Sequence, residues 1–427
     1  MTEVKEKLAL GLTGSFGSGC STLGEALVKL GFEQFSLSKY VKEAWAQKNG
    51  KDSKEAKKSD LQNMGNELRE SKENSYLASL AVNEANERAK ENKRLVFSSI
   101  RNLGEVEYLR SSYRNFFLIA VDCSTGIRWE RVKDDYKKLG QGEDQFFEDD
   151  KRDKLEEWTE HGQQVQLCVD EADMMLDNDE TFPSRPTAVL KLKSKIDPYI
   201  ELFEGKLRPP EAVESYMGMA YSASLMSQCI KRRVGAVIVD EKKDAILSVG
   251  YNENPYPMKP CFIKYAGCYR DICKNKRMAE LESNATVCPK CEQKIKDVKF
   301  PFFCKNKLPN GHTCNFDLGK YFIKDKIMDR CTALHAEEKA ILTAGSRNIE
   351  GCTLYTTTFP CFTCSQKIVF SKIKNVVYVE PYPDEDSIRL LKEADVKVNK
   401  FEGIKAKAYF RVFGPWQRKK EDEVKGT

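Results

Sequence analysis

Histidine is almost missing from this chain: three stand among 427 residues, against fifteen cysteines. A histidine that falls inside a metal-ligand spacing is therefore hard to assign to chance. Long apolar runs are missing too. The longest, such as Phe116 to Val121 and Val234 to Val239, have the length of strands and fall well short of the roughly 20 residues that cross a bilayer. The N-terminus, Met-Thr-Glu-Val-Lys-Glu-Lys, has no apolar stretch of signal-peptide length. Neither export nor a membrane span is expected, and the cytoplasm is the expected compartment. An excess of one charge is lacking as well. Seventy basic and 65 acidic residues leave a formal charge of +5, too little at this length to demand nucleic acid or lipid. Without an export signal, the cysteines are not expected to form a disulfide framework, and their C-x-x-C pairs point instead to metal ligation in a reducing compartment. Length and a hydrophobic content of 41% allow two or three domains with separate cores.

What is present is concentrated in one constellation. His335-Ala336-Glu337 is followed, after 22 residues, by Pro360-Cys361-Phe362-Thr363-Cys364. An imidazole and two thiolates supply three tetrahedral zinc ligands and leave a fourth position for a water, whose pKa falls to about 7 there. Glu337 is placed to take the proton from that water and is not expected to bind the metal. The order H-x-E…P-C-x-x-C resembles that of the zinc-dependent nucleobase deaminases. The alternative is a structural zinc site with His335 and Glu337 facing solvent, but five residue types coincide here in order and spacing. The context agrees: Ala333 to Leu342 reads as a helix, Thr353 to Thr357 as a strand, and Pro360 as the start of a second helix. Cys361 and Cys364 then fall in its first turn, where the helix dipole favours thiolates.

The first part of the chain has another pattern. Lys7 to Leu12 reads as a strand leading into Gly14-Ser15-Phe16-Gly17-Ser18-Gly19-Cys20-Ser21-Thr22 and then a helix, the order of a P-loop. Gly14, Gly17, Gly19, Ser21 and Thr22 are the candidate nucleotide-binding residues, and a nucleotide, with or without Mg2+, is the expected occupant. Cys20 stands where the phosphate-binding lysine belongs, which argues against phosphoryl transfer and leaves phosphate binding and an inert structural loop both open. Leu95 to Asn102 and Phe116 to Asp122 read as buried parallel strands and Ile127 to Lys138 as a charged helix, implying a doubly wound sheet. This half resembles the P-loop nucleotide kinases through Gly11-Leu12-Thr13-Gly14…Gly19-Cys20-Ser21-Thr22, Ile100-Arg101-Asn102, Arg128…Arg131 and Ala172 to Asn178. That resemblance implies phosphate contacts for Arg101, Arg128 and Arg131; ion pairs or solvated helix charges are the alternative.

Prolines and a loss of strand pattern mark a boundary after residue 180. The expected organisation is a P-loop kinase-like domain at 1–180, a linker at 181–208 and a second domain at 209–420. In the second domain Glu211 to Ile230 reads as a helix, and Val234 to Asp240 with Ala245 to Tyr251 as a hairpin, giving an α/β/α layer order. An insertion at about 272–328 carries Cys288, Cys291, Cys304 and Cys314, with His312 nearby, at the spacing of a small zinc ribbon. Lysine-rich and short of apolar residues, it is expected to need metal to fold.

Beyond the zinc pattern, residues 208–413 resemble the deoxycytidylate deaminase branch of the cytidine deaminase superfamily. Ser227 to Ala236, Gly250-Tyr251-Asn252, Cys261…Gly267-Cys268-Tyr269-Arg270-Asp271 and Cys331 to His335 carry the likeness. It implies that Asn252 and Tyr382 contact the substrate, with Tyr378 read as a buried strand residue. It also implies a further zinc site among Cys261, Cys268, Cys273 and Cys331, with free thiols as the alternative. The fusion as a whole resembles the bacterial anti-phage dCTP/dCMP deaminases. That resemblance implies conversion of dCTP or dCMP to dUTP or dUMP and ammonia, depletion of the nucleotide pool, restraint by a regulatory RNA and a homo-oligomer. Housekeeping pyrimidine supply and editing of RNA or DNA are the competing functions.

Overall fold

The apolar runs near the N-terminus stack into one sheet, and those around the zinc pattern into another. The computed structural model describes residues 5–155, 160–273, 331–380 and 385–417. It also describes isolated positions between 275 and 314 that include Cys288, Cys291, Cys304 and Cys314. The chain divides into two units, residues 1–218 with 400–427, and residues 219–399.

The first unit begins with β1 (Lys5–Thr13), α1 (Cys20–Val28), β2 (Glu33–Ser36), α2 (Leu37–Asn49), α3 (Lys58–Ser71) and α4 (Tyr76–Arg88). It continues through β3 (Arg94–Ile100), α5 (Leu103–Ser112), β4 (Tyr113–Asp122), α6 (Thr125–Lys138), α7 (Glu143–Leu155), α8 (Val165–Glu171) and β5 (Met174–Asp177). Strands β5-β4-β1-β3-β2 lie side by side and parallel, with Leu10 opposite Val96 on one side and Phe117 on the other. The central strands are apolar on both faces, as helices packed on both sides of a parallel sheet require. Three ion pairs are buried in this unit: Arg69 with Glu105, Arg101 with Asp153 and Arg128 with Asp150.

Residues 181–208 are not the expected linker. They form α9 (Arg185–Phe203), whose Val189, Leu192, Ile196 and Ile200 are buried in the same core as β1 and α1. Pro186 is compatible with the first turn of a helix, where an amide donor has no partner to lose. Lysines between the apolar positions hide the stripe from inspection. The expected second domain also ends too late. After α10 (Ala212–Ser224) and the second unit, the chain returns as β11 (Gly403–Ile404), antiparallel to β5, and α15 (Ala406–Gln417). Ile404, Ala408, Val412 and Phe413 are buried in the first unit's core. Lys400 fastens the return, with its ammonium 2.6 Å from Asp122 and 3.0 Å from Asp179. Asp177, 3.8 Å from the same ammonium, is pushed up to about 6 by burial.

The second unit contains β6 (Gly235–Asp240), β7 (Ala245–Tyr251), α11 (Cys261–Tyr265), α12 (Ala336–Ala344), β8 (Thr353–Thr358), α13 (Phe362–Phe370), β9 (Asn375–Glu380), α14 (Glu385–Glu393) and β10 (Lys397–Lys400). Its sheet runs β10-β9-β8-β6-β7, with β6 antiparallel to β7 and β8, and β8 parallel to β9. The helix expected to start at Ala333 starts at Ala336, because Leu334 instead pairs with Glu253 through two backbone hydrogen bonds. Among the described residues, no helix is long and apolar enough to cross a membrane.

Trp45, Trp129 and Trp416 belong to the first unit. Phe413→Ala is expected to cost about 3–5 kcal/mol and to lower the urea midpoint read by tryptophan fluorescence. An unchanged midpoint would return this segment to the second unit.

Candidate active site

The zinc pattern becomes a site because two helix starts face each other. His335 is the N-cap of α12 and Cys361 the N-cap of α13, with Cys364 one turn further on. Gly250 of β7 lets α12 lie directly on the sheet: a Cβ there would stand 2.1 Å from the carbonyl oxygen of Ala336. The wholly buried β8 delivers Pro360 and α13 from the adjacent side. As a result, His335 Nδ1 lies 3.3 Å from the Sγ of both Cys361 and Cys364. Zinc bonded to nitrogen at ~2.0 Å and sulfur at ~2.3 Å in a tetrahedron spaces such ligands by about 3.5–3.8 Å, so the three atoms fit the ion closely.

The charges suit that use. Cys361 is held down at about 4, by a hydrogen bond from Cys364 first and by His335 second, while the hydrogen bond to Cys361 and burial push Cys364 well up. The hydrogen bond to Cys361 raises the pKa of His335. Glu337 is 4% exposed, with Oε2 3.7 Å from Cys364 Sγ, and burial raises its carboxyl above the usual range. A carboxyl tuned upward in this way can both accept and return a proton near neutral pH. His335, Glu337 and Cys361 line a cavity of about 460 Å3 together with Asn252 and Thr358. Lys231, Arg232 and Arg270 also line it as a basic wall, in which Lys231 is paired with Asp271 at 2.5 Å and Arg232 with Glu380 at 2.9 Å. These cations were missed from the sequence; the signal was Lys231-Arg232-Arg233 just before β6, and basic runs are normally surface.

The second cysteine set also converges. Cys288 and Cys314 Sγ atoms are 3.8 Å apart, Cys291 and Cys304 3.7 Å, and all four lie within 4.8 Å of one another. These are the edges of a thiolate tetrahedron around zinc. His312 lies outside the described residues.

In the first unit, Gly14, Gly17 and Gly19 have φ of 150°, 81° and 109°, which side chains rarely adopt. They curl the loop around a cavity of about 570 Å3 that Ser21 and Thr22 also line. Burial raises the pKa of the Cys20 thiol, so it carries no charge to replace a lysine. Arg128 is bound to Asp150, and Arg131 donates to the carbonyls of Gly17, Ser18, Asn178 and Glu180. Arg101 is paired with Asp153. The three arginines are thus engaged within the protein, and β3 ends in Ser98-Ser99-Ile100 with no carboxylate to hold Mg2+.

Residues 210–380 match the family described as cytidine and deoxycytidylate deaminase zinc-binding region, and residues 10–156 match a family described as AAA domain. The deoxycytidylate deaminase of Saccharomyces cerevisiae is 33% identical over 44% of this chain and 43% of its own. That of Schizosaccharomyces pombe is 29% identical over 54% of each, so the chain spans about half the length of these relatives. The deoxycytidylate deaminase of Enterobacteria phage T4 is 33% identical over 42% of this chain and 84% of its own. The chain belongs to the deoxycytidylate deaminase family.

The positions that family resemblance singled out fare unequally. Asn252 does line the cavity, but its Oδ1 accepts from the Val234 amide at 2.7 Å and its Nδ2 donates to the Arg232 carbonyl at 2.9 Å. It holds the basic wall in place. Tyr378 is buried edge-on against Phe359, as a strand residue of the core. Tyr382 lies outside the described residues. Cys261, Cys268 and Cys331 line one cavity together with Cys229, but among the described residues only the two sets above bring all their ligand atoms within 4.8 Å of one another. Cys261 Sγ sits 3.6 Å from Asn254 Nδ2 and 3.7 Å from Thr332 Oγ1 instead.

Metal analysis of the purified deoxycytidylate deaminase homologue is expected to give about two zinc ions per chain, falling to about one in Cys361→Ser and in Cys288→Ser. A third equivalent would restore the Cys261, Cys268 and Cys331 site.

Proposed function

We propose that the second unit hydrolyses deoxycytidine nucleotides, dCMP and dCTP, to dUMP and dUTP with release of ammonia. The observation that carries this reading is a buried glutamate beside a three-ligand zinc set, at the base of a cavity walled by Lys231, Arg232 and Arg270. Zinc, when bound by His335, Cys361 and Cys364, supplies an acidified water. Glu337 takes the proton of that water as oxygen adds to C4 of the cytosine ring. It delivers that proton to ring N3, then takes the remaining hydroxyl proton from C4 and delivers it to the amine as the C4–N bond breaks, so that ammonia leaves and the carbonyl of uracil remains. The basic wall favours a phosphorylated substrate over free deoxycytidine.

The wider reading is depletion of the deoxycytidine nucleotide pool in anti-phage defence. A deaminase joined to a P-loop unit without its lysine supports it: one unit degrades a nucleotide while the other binds one without turning it over. In the same reading the enzyme works in the cytoplasm as an oligomer and is held idle by a regulatory RNA.

Deoxycytidine, dCMP, dCTP and a cytosine-containing oligonucleotide, assayed in parallel for uracil and ammonia, test the proposal. Turnover of the mononucleotides is expected; turnover of the oligonucleotide alone would make the protein an editing enzyme. Glu337→Ala is expected to lower the rate ~10^3-fold or more with zinc still bound.

A further inference from the structure

The cavity beside the zinc ligands is lined from two separate parts of the chain. Lys231 and Arg232 stand on residues 227–234, a stretch that is neither helix nor strand and leads into β6. His335 and Glu337 belong to α12 and its cap. A stretch without its own backbone ladder has to be held by its neighbours. Asn252 holds this one with all of its hydrogen-bonding groups. Its amide donates to the Val234 carbonyl at 3.2 Å, and its carbonyl accepts from Ser227 Oγ at 2.7 Å. Its side chain accepts from the Val234 amide and donates to the Arg232 carbonyl.

Those bonds tie Asn252 to the basic stretch, and the residue after it provides the tie to the helix. Glu253 exchanges two backbone hydrogen bonds with Leu334, of 3.2 and 2.8 Å, and its carboxylate is ion-paired with Lys339. Lys339 lies one helical turn beyond His335, and its amide donates to the His335 carbonyl at 2.9 Å. Its ammonium also rests 3.3 Å over the ring of Tyr251, the residue before Asn252. Tyr251 and Glu253 are thus both fixed to α12 by one side chain, with Asn252 between them. Ion pairs in open water fix geometry weakly, since solvent and salt screen them. Here the side chains of Lys339 and Glu253 are only 16% and 35% exposed, and an aromatic face covers the ammonium.

Neither Glu253 nor Lys339 lines the cavity of about 460 Å3, so any influence on a bound molecule passes through Asn252. On the reading of that cavity as a deoxycytidine nucleotide site, we infer that Glu253 and Lys339 are positioning residues for the substrate. Their pair fixes Asn252, and with it the wall of Lys231 and Arg232, relative to Glu337. The separation of that wall from Glu337 decides whether one molecule can reach both, with its phosphate at the wall and its ring at the carboxyl. A small misplacement between two such anchors is paid in affinity, because a rigid nucleotide cannot satisfy both. Glu337 and the zinc ligands keep their own places on α12 and α13, so the chemical step is largely spared.

The full-length protein and its Glu253→Gln, Lys339→Met, Lys339→Arg and doubly substituted Glu253→Gln/Lys339→Met variants test this. Steady-state deamination of dCMP is measured beside calorimetric binding of dUMP, which needs no turnover, and zinc content. Each of Glu253→Gln and Lys339→Met is expected to raise KM for dCMP and Kd for dUMP about tenfold, with kcat changed by no more than about threefold. Zinc is expected to stay at about two ions per chain. The double variant is expected to be no worse than Lys339→Met alone, because the shared contact is already gone. Lys339→Arg, which keeps the charge, is expected to return both constants toward the wild type. Glu253→Gln, nearly unchanged in shape, carries the test if Lys339→Met does not fold. KM and Kd unchanged in both single variants, or a loss confined to kcat or to zinc content, overturns the inference. A wild type that binds dUMP without deaminating dCMP sinks the proposed reaction and leaves the inference to the binding data; one that does neither sinks both.

Discussion

The second unit depends on three ligand atoms, drawn from two helices, meeting within a few ångströms. Thiolates and an imidazole this close repel or hydrogen-bond one another unless a cation joins them, so the scaffold must force the approach. It does so from beneath and from both sides. Gly250 removes the one methyl group that would lift α12 from the sheet, and β8, buried along its length, fixes where α13 begins. A backbone bridge between Glu253 and Leu334, tightened by the ion pair of Glu253 with Lys339, sets the residue just ahead of His335. The ammonium of Lys339 also sits 3.3 Å over the ring of Tyr251, so the strand that leads into Asn252 and the helix that bears Glu337 are tied at one point. Both cysteines gain from the amides of a helix start, which stabilise negative charge.

The first unit has the opposite character. Arg69, Arg101, Arg110 and Arg128 pair with its own carboxylates and Arg131 with its carbonyls, inside a parallel sheet-and-helix frame. Buried ion pairs of this kind seldom add net stability, since desolvation offsets the attraction, and their use is to fix geometry. Arg128 with Asp150 and Arg131 on the loop carbonyls hold the P-loop in shape, where the resemblance to kinases had them touching a nucleotide.

The zinc set and its glutamate were legible in the sequence because ligand chemistry permits few residue types, and those sit close together along two helices. The four cysteines of the insertion were legible for the same reason. For Cys261, Cys268 and Cys331, spread over more than sixty residues, spacing says little about distance, and it was the family resemblance that pointed to the cavity they share with Cys229. The strands were readable from their length and apolar content, and α9 was not, because prolines and lysines gave its apolar stripe the look of a linker. Least visible was the return to the first unit. Two residues, Gly403 and Ile404, are too few to show a strand pattern, and the apolar side of α15 does not say which core it fills.

That return has a consequence for synthesis. The edge of the P-loop sheet and the helix beneath it are made after every residue of the zinc-ligating segment. The unit whose translation begins first thus cannot close its core until the whole of the second unit has been synthesised, because it lacks Ile404 and Phe413 until then.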